Sequence, residues 1–131
     1  MMNARRIYWG RVVAGGFAAE FLLVVLVSAV RAAFGETAFL ASILVGSAAM
    51  PFVLALWVCR GGRPNAMLNG ALVGVVAAAF YILLFTITAP GQSQPLLYQA
   101  AHVLKVLGGL SGGFVVTRRR ASAGDSASSA V

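Results

Sequence analysis

Apolar residues fall into four long blocks, about 12–30, 38–59, 66–89 and 95–117, separated by short polar breaks. Each is close to the roughly 20 residues that a helix needs to cross the hydrocarbon core of a bilayer. The first block, Val12 to Val30, contains eleven Val, Leu or Phe residues and a single charge, Glu20. It is longer than the apolar region of a cleaved leader and has a central carboxylate, so it is expected to be a retained span. A polar turn with Gly35 and Glu36 follows. The second block carries Pro51, which removes the hydrogen bond to the Ser47 carbonyl and predicts a kink. The Ser47 hydroxyl or a neighbouring helix is available to that carbonyl.

In the third block Gly70, Gly74 and Ala78 recur every four residues, a small-residue stripe that lets another helix approach closely. Tyr81 and Thr88 extend roughly the same face. Pro90-Gly-Gln-Ser-Gln-Pro95 breaks the chain. The fourth block holds the only lysine and the only histidine, Lys105 and His102. It then runs into Gly108, Gly109, Gly112 and Gly113 and closes with Arg118-Arg119-Arg120. Tyr98, His102, Lys105, Gly109 and Gly112 follow a four-three-four-three spacing and so share a face. Gly108–Gly112 and Gly109–Gly113 make two overlapping GxxxG patterns, without saying whether the packing is within one chain or between chains.

Composition agrees with lipid as the solvent. Hydrophobic residues make up 60% of the 131 and charged residues 10%, against roughly 45–50% and about 25% in soluble domains. The net charge of +7 is placed as topology information. Arg5, Arg6, Arg11, Arg60, Arg63 and Arg118 to Arg120 flank alternate ends of the blocks, whereas the other two turns hold only Arg31. By the positive-inside rule both termini are cytoplasmic. The expected fold is therefore an all-α membrane protein, a four-transmembrane-helix up-down bundle over residues 1–117. Residues 118–131, basic and then Ser/Ala-rich, are expected to form a disordered cytoplasmic tail. The expected location is the inner (plasma) membrane, multi-pass. A faint echo, Gly15 to Phe21 against Gly74 to Phe80, fits two duplicated hairpins.

The buried charges set the candidate chemistry. A central charge costs about 2.5–3.5 kcal/mol on insertion scales, and each large apolar residue returns about 0.3–0.6. The first block's eleven such residues return roughly 3–7 kcal/mol and absorb Glu20. The fourth must also carry Lys105, His102 and four glycines, so it needs partner helices. Glu20 lies about nine residues from the inner end of its span and Lys105 about twelve from its own, heights that match within about one helical turn. This predicts a buried Glu20–Lys105 pair, with His102 bonded to a carbonyl or to Tyr81. Asn69 caps the third helix or bonds to a neighbour, and Cys59 is a small filler.

No nucleophile triad, phosphate loop or dinucleotide fingerprint is present. One histidine, one cysteine and three acids do not suffice for a metal cluster of the usual kind. No enzyme activity, cofactor, metal or nucleic-acid partner is expected. The expected partners are the bilayer, anionic lipid head groups at Arg118, Arg119 and Arg120, and a second copy or a larger membrane complex. The expected role is a scaffold, accessory subunit or self-associating bundle.

The order of features also resembles the small multidrug resistance transporters. Ile7-Tyr-Trp-Gly10 leading to Ala19-Glu20 is similar to that family's first span, a likeness confined to residues 7–20. It implies a dimeric, proton-coupled exporter with Glu20 as the proton- and substrate-binding carboxylate. Lys105, the glycine-rich fourth block and the basic tail depart from that family's pattern.

Overall fold

The computed structural model describes residues 6–61 and 64–129; Arg5 and Arg63 of the basic flanks lie outside them. The described chain is all-helical: α1 (Trp9–Phe34), α2 (Glu36–Val58), α3 (Ala66–Thr88) and α4 (Leu96–Ser128). All four are long and apolar enough to cross a membrane.

The first break is tighter than the sequence suggests. Helix α1 runs through Arg31, and α2 begins at Glu36. Gly35 alone makes the turn at φ 84°, a conformation that costs glycine nothing. Its N–H donates to the Arg31 carbonyl at 3.0 Å and its own carbonyl accepts from Phe39 N–H at 3.1 Å, so it serves both helices. Glu36 pairs with Arg31 at 3.0 Å on the surface. Helix α2 continues through the buried Pro51.

Helix α4 continues through the arginines to Ser128, over the stretch whose composition led to the expectation of a disordered tail. A segment joined to an existing helix avoids the cost of nucleation, and Ala and Arg are good helix formers. Ser122 and Ser126 also donate back to the Arg118 and Ser122 carbonyls, at 3.3 and 2.9 Å. The extension is exposed along residues 121–129, so it is helical without being packed.

Packing follows from the small residues. Helix α4 lies against both α2 and α3, and so does α1, while no backbone approach joins α1 to α4. The first and last helices therefore occupy opposite corners of the cross-section. The glycines let α4 in. A Cβ on Gly109 or Gly113 would collide with the Gly70 or Ala66 carbonyl of α3, and one on Gly74 with the Lys105 carbonyl. On its other side, Gly108 abuts the Ala48 carbonyl of α2, and Gly112 the Phe52 carbonyl and Ala55. The two overlapping GxxxG patterns thus serve two different neighbours, both within the chain.

Two apolar clusters close the ends. One joins Val12, Val58, Cys59, Ala66 and Val73, with Val116 against it. The other joins Leu23, Val27, Ile43 and Ala101, with Phe39, Leu97 and Tyr98 against it. Large apolar side chains such as Phe17, Phe21, Val45, Ile87 and Val103 point outward, while Glu20, Ser47, Asn69 and Lys105 are buried. A soluble domain distributes these the other way round.

Candidate functional site

Each helix brings one polar side chain to the middle of the bundle: Glu20 from α1, Ser47 from α2, Tyr81 from α3 and Lys105 from α4. Lys105 Nζ donates to Glu20 Oε2 at 2.6 Å, with side chains 3% and 9% exposed. Because α1 and α4 do not pack together, this ion pair crosses the centre of the bundle and ties opposite corners. The ammonium also stands 4.8 Å from the centroid of the Tyr81 ring, a contact that adds to its compensation. Burying either charge alone is expensive, and the pair is tolerable only because each neutralises the other with good geometry.

Tyr81 links the pair to the polar groups nearer the α3–α4 turn. Its ring stacks on Tyr98 at 5.6 Å and 13°, and tilts against His102 at 5.2 Å. His102 Nε2 lies 3.0 Å from Gln94 Oε1. Nδ1 is buried and has no hydrogen-bond partner among the described residues. The structure therefore brings Glu20, Lys105, Tyr81 and His102 into one connected group. Thr88 does not join it: it is exposed and donates to the Leu84 carbonyl at 2.9 Å.

A cavity of about 420 Å³ reaches this group, lined among others by Glu20, Lys105, Ser47, Tyr81, Tyr98 and Arg31. Its volume lies within the range of roughly 300–1,000 Å³ typical of small-molecule sites. A smaller apolar cleft of about 230 Å³ between α1 and α3 also touches Glu20, with Phe17, Phe21, Val24, Phe80 and Leu84. Glu20 therefore lines two spaces. Among the described residues, no group of three His, Cys, Asp or Glu side chains is placed to hold a metal. No protein-family model, curated protein sequence or solved structure matches this chain. Function is therefore read from the geometry alone.

Sequence reasoning gave two residues too little. Ser47 is wholly buried and its hydroxyl bonds to no described residue; it lines the cavity instead of serving its own carbonyl. The Pro51 spacing marked it, but not the direction of its side chain. Asn69, also buried, accepts from Tyr8 N–H at 3.1 Å and donates to the Asn65 carbonyl at 3.0 Å. It fastens the segment before α1 to the start of α3. A lone amide at the head of an apolar block was the signal. Cys59 Sγ–H donates to the Ala66 carbonyl at 3.2 Å across the α2–α3 connection, a small role beyond filling space.

The basic end divides as well. Arg118 stands over the Phe114 ring at 5.2 Å. Arg119 and Arg120 instead line a cavity of about 560 Å³ together with Arg60 and Trp57.

Proposed function

We propose that this chain is a non-enzymatic, four-helix integral membrane protein of a bacterial inner membrane, acting as a scaffold or accessory subunit. The observation that carries the reading is the buried Glu20–Lys105 pair at 2.6 Å across the bundle. The one carboxylate in the core is already neutralised by a tethered ammonium, so it is held as a structural tie. An up-down topology is supported by the first apolar cluster, which gathers the starts of α1 and α3 with the ends of α2 and α4. The arginine distribution favours both termini on the cytoplasmic side. The glycines are engaged inside the chain, so they give no reason for self-association; a partner would dock on another face.

A second reading is kept because the 420 Å³ cavity reaches Glu20 and Lys105. In it the protein is a small proton-coupled exporter or channel, with Glu20 as the coupling carboxylate. Proteoliposome flux separates the two. The scaffold reading expects no proton or organic-cation flux above empty vesicles, and no difference between wild type and Glu20→Gln. Substrate-dependent proton movement that Glu20→Gln abolishes overturns it and establishes the exporter.

A further inference from the structure

The cavity between the end of α2 and the basic stretch of α4 has no part in the ion-paired core. Its volume is about 560 Å³, and it combines two surfaces. One is apolar, from Val53, Leu56 and Val116; the other is basic, from Arg60, Arg119 and Arg120, and among the described residues no acidic one lines it. Two donors of Arg120, Nε and Nη2, are shielded from solvent and meet no acceptor among the described residues. Buried polar groups are normally hydrogen-bonded, and a charged donor left unmet is among the costlier exceptions.

We propose that this cavity is a binding site for one anionic phospholipid. Its phosphate accepts from Arg60, Arg119 and Arg120, and an acyl chain lies along Val53, Leu56 and Val116. Several observations support a lipid over a free phosphate. Trp57, at the end of α2, also lines the cavity, and tryptophan is typical of the level of the head groups. The apolar wall has no use in binding inorganic phosphate. Basic pockets between transmembrane helices are known to hold anionic head groups. The site is more specific than attraction of a basic tail to a charged surface, because it draws on α2 as well as α4 and leaves out Arg118. That residue carries the same charge but is held against Phe114.

The test uses the full chain in nanodiscs of zwitterionic lipid doped with phosphatidylglycerol or cardiolipin, with bound lipid counted by native mass spectrometry on release. Wild type is expected to retain one anionic lipid in preference to the zwitterionic one. Arg120→Gln and Arg60→Gln are each expected to lower retention about tenfold, since hydrogen bonds to charged groups are the stronger kind. Arg118→Gln is expected to retain lipid like wild type. Preference for cardiolipin or for phosphatidylglycerol supports the site equally and tells whether one or two phosphates are read. Equal losses from Arg118→Gln and Arg120→Gln overturn the proposal in favour of a diffuse basic surface. Displacement of the lipid by millimolar glycerol phosphate also overturns it, in favour of a water-soluble phosphate ligand. If Arg120→Gln fails to fold, Val53→Trp fills the apolar wall, and undiminished retention there sinks the idea.

Discussion

Lys105→Met tests the central tie most directly. The substitution keeps a long, unbranched side chain and removes its charge, leaving the Glu20 carboxylate in a core where its ionic partner had stood 2.6 Å away. Removing one member of a buried pair costs about 3–5 kcal/mol, whereas replacing both by apolar residues ranges from neutral to about 1–4 kcal/mol stabilising. A second route gives a similar figure. Glu20 can escape its isolation by taking a proton, which at pH 7 costs about 1.36 × 2.7, or roughly 3.7 kcal/mol, from an ordinary carboxyl pKa of about 4.3. The single variant should therefore lose at least about 3 kcal/mol, and Glu20→Leu with Lys105→Met should recover most of it. Reversible unfolding in mixed micelles by sodium dodecyl sulfate titration measures both variants and the remaining corner, Glu20→Leu, as a double-mutant cycle. Equal stability of the Lys105→Met and double variants would refute the tie.

Three further outcomes are expected. Gly109→Ala places a Cβ against the Gly70 carbonyl and should cost about 1–3 kcal/mol as overpacking, while Gly10→Ala, with nothing within 4 Å of the new atom, should be neutral or slightly stabilising; the same micelle titration ranks them. Asn69→Leu should cost about 1–3 kcal/mol through lost buried hydrogen bonds and should speed hydrogen exchange at the Tyr8 amide, whose bond to Asn69 Oδ1 it removes. Arg31→Ala should leave thermal unfolding within error, since both partners of the Arg31–Glu36 bridge are more than half exposed and such pairs contribute little.

The depth of Glu20 and Lys105 was legible because helical rise is fixed, so counting residues from a span's end gives a height. Their lateral positions were not legible. Nothing in a periodic apolar pattern says that α1 and α4 stand at opposite corners, and only the length of both side chains lets the pair form across that distance. The glycine spacing likewise told of close approach but not of the partner. Gly108 and Gly109 are adjacent in sequence and about 100° apart on the helix, which is why one motif faces α2 and its twin α3. Ser47 was overlooked because its local chemistry, four residues before Pro51, offered a complete explanation that the bundle does not use. The run of α4 past the arginines was not legible either, because composition reports what a segment fails to bury, not whether a neighbouring helix extends into it.

The ion pair joins residues 85 positions apart, in the first and last helices. A ribosome adds roughly 5–20 residues per second, so about 4–17 s pass between synthesis of the acid and of its base. During that interval α2 and α3 are made and the Glu20 carboxylate lacks the lysine that pairs with it in the finished bundle. Neutralisation of the core therefore waits for the fourth helix, and the order of the helices along the chain sets the acid down before its base.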